Sequence, residues 1–127
     1  ALKEMDVQQG IPVVAYINNW AISAGAMLAY SSRYIVITKD ASMGAAEPVI
    51  QGGTDDELKT ASEKVNSAFR TDFANRASFF DRNPDIAEAM VDKDIILVWR
   101  DGKVVRLEEE SQIIKEGAHP DLVISDA

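Results

Sequence analysis

Ser23 stands where an apolar, β-branched run gives way to small residues and helix formers, in the stretch YINNWAISAGAML over residues 16–28. A residue at a sharp strand-to-helix step has its side chain held outward. The backbone N–H groups that follow it are free in the helix's first turn, where they can stabilise an oxyanion. Ala24, Gly25 and Ala26 add little bulk, so a substrate carbonyl could approach closely. On the local pattern alone Ser23 also reads as a plain helix cap, because serine is favoured there. A second hydroxyl, Ser42 in Ala-Ser-Met-Gly, has Gly44, Pro48 and a glycine pair behind it and no helix start. Ser23 is the favoured nucleophile of the two.

The elements that must hold this serine come from one chain of 127 residues, 46% hydrophobic, which can bury a real core and suits one domain. A net charge of −8, from 13 basic against 21 acidic residues, argues against a nucleic-acid or anionic-membrane surface. The absence of cysteine removes disulfides, thiolate nucleophiles and Cys-rich metal sites. No His pair stands at helical spacing, and GGTDDELK lacks the Gly-Lys-Ser/Thr ending of a phosphate loop, so no metal or nucleotide cofactor is suggested. No segment has the roughly 18 uninterrupted apolar residues that a membrane span needs.

Strands and helices alternate along the chain. ALKEMDVQQ reads as a helix end, with Leu2, Met5 and Gln9 along one side, stopped at Gly10 and Pro12. PVVAYI is an apolar run expected of a strand covered on both faces, AISAGAMLAYSS a tightly packed helix, and RYIVITKD a second buried strand. ASMGAAEPVIQGG reads as a loop. From Thr54 to about Ser78 a long amphipathic helix is predicted, with a Thr-x-x-Glu capping pattern and a buried face of Leu58, Ala61, Val65, Ala68, Phe69 and Phe73. NPDIAEAMVD predicts a short helix capped by Asn83, and IILVWRDGKVVRL a hairpin across Asp101-Gly102. The last stretch predicts a short helix, a stop at Gly117 and a strand around LVI. The class is α/β, a small layered sheet with helices across it.

Pro12-Val13-Val14, Ser23-Ala24-Gly25 and Gly44-Ala45-Ala46-Glu47-Pro48, in that order, resemble the core of the membrane-bound serine proteases of the ClpP class, the NfeD or stomatin-operon-partner type. The close match covers about residues 11–50, and the following helix matches more loosely. Signal peptide peptidase A is related but usually has Ser-Gly-Gly at the serine. The resemblance implies a ClpP/crotonase-like fold over residues 1–127 as a single domain, and peptide-bond hydrolysis by a Ser-Lys dyad. It also implies apolar or membrane-associated peptide substrates and stomatin-like membrane proteins as partners; the charge balance argues for no nucleic-acid partner, and an open sheet edge for a homo-oligomer. The full-length protein would be membrane-associated, with this part a soluble extracytoplasmic domain.

A protonated serine is a weak nucleophile and needs a base. ClpP places a histidine in the loop after the second strand, where this chain has GAAEPV, and the sole histidine, His119, reads as an exposed loop residue. In the resembled family the base is a lysine in the first turns of the helix beyond that loop. Lys59 and Lys64 lie there, and Lys64 is 41 residues beyond Ser23, a separation like the family's. Ala61 and Ala68 flank Lys64 one turn to either side, whereas Lys59 borders the Phe73 side. Most helix lysines are solvated ion-pair partners, and a lysine base near neutral pH must be desolvated. Ser23 would then attack the scissile carbonyl with the Ala24 N–H holding the oxyanion, and Trp20 and Met27 would line an apolar substrate groove. The implied fold also carries acyl-CoA enzymes and inactive members, so a binding or scaffold module is the alternative. The family's second oxyanion donor comes from a Gly-rich turn ahead of the first helix here, and Gly10 lies on that helix's far side. The expectation is therefore an N-terminally incomplete, weakly active or inactive piece that self-associates through an open sheet edge.

Overall fold

A computed structural model describes residues 1–115. The elements are α1 (Leu2–Gln9), β1 (Val14–Ile17), β2 (Trp20–Ile22), α2 (Ala24–Tyr30), β3 (Tyr34–Ile37), β4 (Ser42–Gly44), α3 (Asp55–Phe79), α4 (Pro84–Val91), β5 (Ile96–Arg100), β6 (Lys103–Leu107) and α5 (Ser111–Lys115). The mixed helix-and-strand class is as expected. The predicted Gly117 stop, His119 and the closing LVI strand lie outside the described residues.

Local signals placed most boundaries. Gly10 ends α1 in the left-handed region at φ 65, and Ile11 N–H reaches back to the Met5 carbonyl at 3.1 Å. Thr54 and Glu57 form both bonds of a capping box at the start of α3, with Asp55 and Asp56 at the positive end of the helix dipole. Asn83 Oδ1 accepts from the Asp85 N–H at 2.8 Å, with Pro84 opening α4. Asp101 at φ 52 and Gly102 at φ 76 supply the two left-handed residues of the β5–β6 hairpin turn.

The strands correct the sequence reading in three ways. The helix expected over AISAGAMLAYSS begins only at Ala24, because Trp20–Ile22 pairs as strand β2. The stretch expected to be loop contains β4, which pairs in parallel with β2 in the register Trp20 to Ser42, Ala21 to Met43 and Ile22 to Gly44. Ser42–Gly44 is extended because β2 supplies its hydrogen-bonding partner, a cause absent from its own composition. β1 and β3 also pair in parallel, but they are not covered on both faces. Val14, Tyr16, Tyr34 and Val36 are paired on one face and exposed at 54%, 65%, 55% and 48%. Continuous apolarity predicted a strand; it could not say that the described residues leave one face bare.

The core forms where α2, the segment after β4, α3 and α4 meet. Ala26, Tyr30, Ala46, Phe73, Ala77 and Val91 are buried together, and the Tyr30 and Phe73 rings meet edge to face at 5.9 Å. Burial pushes the Tyr30 hydroxyl pKa up. α3 contributes only its C-terminal half: Phe73 and Ala77 are buried, while Ala68 and Phe69, expected on the buried face, are exposed. The hairpin sets Leu97, Val98 and Leu107 into the interior, and Arg106 Nη1 donates to Glu88 Oε2 on α4 at 2.9 Å.

Three arginines pin the end of α2. Arg76 donates to Ser31 Oγ, whose own hydroxyl donates to the Met27 carbonyl at 2.8 Å. Arg82 Nη2 donates to the Ser32 and Arg33 carbonyls, both at 2.8 Å. Arg33 makes a two-pronged bond to Asp6 of α1, Nε to Oδ2 at 2.7 Å and Nη2 to Oδ1. The Arg33 hydrogen bond holds the Asp6 carboxyl below the usual carboxylate range. A depressed carboxyl pKa stabilises the fold above the unfolded value of about 3.9, and that contribution is lost as pH falls through the folded value. Asp6→Asn is therefore expected to lower the melting temperature at pH 7, with the difference from wild type closing below about pH 4. Thermal melts of both proteins across pH 3–7 check this, and a difference that persists unchanged to the lowest pH would contradict it.

Candidate active site

Ser23 is the residue between β2 and α2, and its backbone lies at φ 54, ψ −120. This is a left-handed conformation that residues with a Cβ adopt only under constraint, at a cost of about 1–3 kcal/mol. The constraint is visible on both sides of the residue. Its N–H donates to the Gly44 carbonyl of β4 at 2.9 Å, and its carbonyl accepts from Ala26 at 3.1 Å and Met27 at 3.3 Å. Its side chain is exposed and makes no capping bond, so the plain-cap reading of Ser23 does not hold. Among the described residues, the N–H groups of Ala24 and Gly25 donate to no protein acceptor, and Ala24 is exposed beside the serine. A serine on a strained strand-to-helix turn presents its oxygen outward, with free N–H groups immediately behind it.

The other expected site residues are distributed unevenly. Trp20, on β2 ahead of Ser23, is 72% exposed. Met27 is half-buried against the core, so its packing role dominates. Ser42 is exposed on β4, and its N–H donates to the Asn19 carbonyl at 2.8 Å. Lys64 is exposed on the uncovered half of α3, over a shallow depression shared with Asp56, Glu57, Thr60 and Ala61. No hydrogen bond joins Lys64 to Ser23 among the described residues. Lys59 is exposed as well.

Sequence reasoning missed the partner that holds Ser23. Gly44, at φ 135, carries the carbonyl that takes the Ser23 N–H, and the chain turns again at Ala45, φ 47. Ala46 N–H then donates to the Met90 carbonyl of α4 at 2.8 Å. The Gly-Ala-Ala motif was legible as a motif; only the β2–β4 pairing gives it this mechanical role. No cluster of three or more His, Cys, Asp or Glu suited to a metal occurs among the described residues. No described helix is long and apolar enough to cross a membrane.

Comparison with known proteins adds relatives to this geometry. A family model for the N-terminal domain of NfeD1b matches residues 2–114. The chain is 33% identical over 94 residues to the membrane protein NfeD1b of Bacillus subtilis, covering 74% of this chain and 20% of that one. It is 30% identical over 93 residues to the membrane-bound protease PH1510 of Pyrococcus horikoshii, covering 71% of this chain and 21% of that one. The chain thus spans about one fifth of the curated relatives it matches. Two solved structures of the 1510-N membrane-bound stomatin-specific protease share the fold at 23% identity. One, a lysine-to-alanine mutant with a substrate peptide, has a TM-score of 0.59 over 93% of this chain and 50% of that one. The other, a serine-to-alanine mutant, has a TM-score of 0.60 over 94% and 54%.

The strain at Ser23 is measurable by itself. At an ordinary backbone position glycine is less stable than alanine by about 0.5–1 kcal/mol. At φ 54 the order inverts, and Ser23→Gly is expected to be more stable than Ser23→Ala by about 1 kcal/mol in urea unfolding. An alanine variant as stable as or more stable than the glycine variant would show that the turn is relaxed.

Proposed function

The chain belongs to the NfeD1b N-terminal domain family, and from that premise we propose that it carries a serine peptidase site with Ser23 as nucleophile and Lys64 as general base. The observation that carries the reading is the Ser23 backbone, strained at φ 54 with its hydroxyl exposed and uncapped. A spacing supports the pairing with Lys64. The substituted serine and lysine of the two 1510-N structures are 41 positions apart in that protein, as are Ser23 and Lys64 here.

In this mechanism the neutral Lys64 amine takes the Ser23 hydroxyl proton as Oγ attacks the scissile carbonyl carbon. The oxyanion forms against the Ala24 N–H. Collapse breaks the C–N bond, the leaving amine takes the proton from Lys64, and an ester to Ser23 remains. Water then attacks the ester with Lys64 again as base, releasing the acid and restoring the serine. Lys64 is exposed on α3, so the reading requires a surface that covers those turns when substrate or another copy binds. The architecture proposed is ClpP/crotonase-like, with residues 1–127 acting as one unit of it. The relatives' names support a membrane-associated setting, a peptide substrate and a stomatin-like partner; apolar or membrane-derived substrates, an extracytoplasmic placement and a homo-oligomer complete the proposal.

Lys64's exposure and the lack of any bond to Ser23 favour a second reading, a catalytically inactive or acyl-CoA-type scaffold of the same fold. A fluorophosphonate probe separates them. Labelling is expected in wild type and in Ser42→Ala, and none in Ser23→Ala. Lys64→Ala is expected to slow labelling and peptide turnover by about 100- to 10,000-fold, with Lys59→Ala close to wild type. A folded wild-type protein that does not label, or a Lys64→Ala variant at the wild-type rate, would favour the scaffold.

A further inference from the structure

The β5–β6 hairpin ends in a run of exposed residues, 99–103. Trp99, 48% exposed, is paired across the strands with Val104, and Arg100 with Lys103. Two bases placed directly opposite each other repel, so an anionic partner would relieve a pair that the turn enforces. The turn itself contributes one acid, Asp101, at φ 52. The other acids of this region, Asp92 and Asp94 before β5 and Glu108, Glu109 and Glu110 after β6, stand at the opposite end of the hairpin. The five residues of β5 separate the two ends. That is a span of about 17 Å, about twice the roughly 8 Å screening length at physiological salt. The hairpin is thus polarised, basic at its tip and acidic at its root, in a chain whose overall balance is −8.

We propose that this tip is a contact for an anionic bilayer surface, with the Trp99 indole at headgroup depth and the Arg100 guanidinium and Lys103 ammonium on lipid phosphates. Size and shape favour lipid over protein. A stable protein interface takes about 800 Å² from each partner, more than a two-residue turn and its flanking pairs present, whereas a headgroup layer closes around a narrow hairpin end. Tryptophan suits that depth by its chemistry: the ring leaves water while its N–H stays among polar groups. The attraction of a base to an anionic leaflet fades within a screening length, so the tip is attracted while the acids at the root are too far away to oppose it. Two bases and one indole make a weak contact alone. Its role is to orient a chain already at the surface rather than to recruit one from solution. The proposal uses neither Ser23 nor Lys64 and is independent of the peptidase reading.

Tryptophan fluorescence reads the tip directly. In Trp20→Phe, Trp99 is the one tryptophan left. That chain is held by a terminal histidine tag on vesicles doped with nickel-chelating lipid, made from equal parts of brominated phosphatidylcholine and either plain phosphatidylcholine or phosphatidylglycerol. On the phosphatidylglycerol vesicles Trp99 emission is expected to move to shorter wavelength and to be quenched beyond its level on the neutral ones. The excess is expected to vanish at about 1 M salt, where the screening length falls to about 3 Å. Arg100→Gln with Lys103→Gln is expected to lose the excess quenching, and Lys103→Gln alone to lose part of it. Lys39→Gln with Lys59→Gln, which removes as much charge from exposed positions elsewhere, is expected to keep it. Equal quenching on the two kinds of vesicle, or the same loss in both double variants, would overturn the tip as a lipid contact. A Trp99 signal that ignores the vesicles but responds to polyglutamate in solution would assign the tip to an acidic protein surface and overturn it likewise.

Discussion

The hydrogen bond from the Ser23 N–H to the Gly44 carbonyl is the constraint on which the site depends. It is the last rung of the short parallel β2–β4 ladder, and it fixes the peptide group entering Ser23 while the first turn of α2 fixes the one leaving it. With both held, φ has no freedom to relax from 54. Strain of about 1–3 kcal/mol persists only where the surroundings over-determine it. Here they do so from a distance: α2 buries Ala26, Ala29 and Tyr30, and its last turn is clamped by Arg76 and Arg82 from α3 and the segment after it. A short helix of seven residues could not hold a strained N-terminus by its own hydrogen bonds. Its far end is anchored instead, and the anchor reaches α1 through Arg33 and Asp6.

α3 divides the molecule into a finished and an unfinished half. Its later turns share the core with α2 and α4, whereas its first turns carry Lys64, Lys59 and a group of acids into open water. In the proposed dyad, the fold of this chain sets the backbone of Ser23, while Lys64 depends on a surface that covers α3. The two halves of a Ser-Lys dyad differ in what they need: the serine needs geometry, which a rigid turn supplies, and the lysine needs a dry surface, which takes area.

How much was legible follows the same division. Features whose cause lies within four residues could be read directly: the Gly10 stop, the Thr54–Glu57 box, the Asn83–Pro84 start and the Asp101-Gly102 turn. Ser23 was legible as a strand-to-helix step because apolar run, serine and small residues are adjacent. Its positive φ was not, because it comes from Gly44, on the other side of α2 and β3. β2 and β4 escaped notice for the same reason, three residues each, defined only by one another, with Pro48 and the glycine pair pointing to loop. The exposure of Lys64 and of the Val14–Tyr34 face was illegible because periodicity shows which residues are apolar and never what packs on them. Phe69 follows the helical spacing as well as Phe73 does, yet only Phe73 meets Tyr30.

Gly44 explains why a motif of small residues matters more than its size suggests. At φ 135 and against Met90, it is where the β–α–β unit holding the serine touches α4. Any side chain there would meet a double obstacle. The backbone angle is one that L-residues rarely adopt, and relaxing it would rotate the carbonyl that takes the Ser23 N–H. The two units therefore cannot shift independently: a displacement of α4 moves the Met90 carbonyl, hence Ala46, hence the peptide that holds the serine's turn.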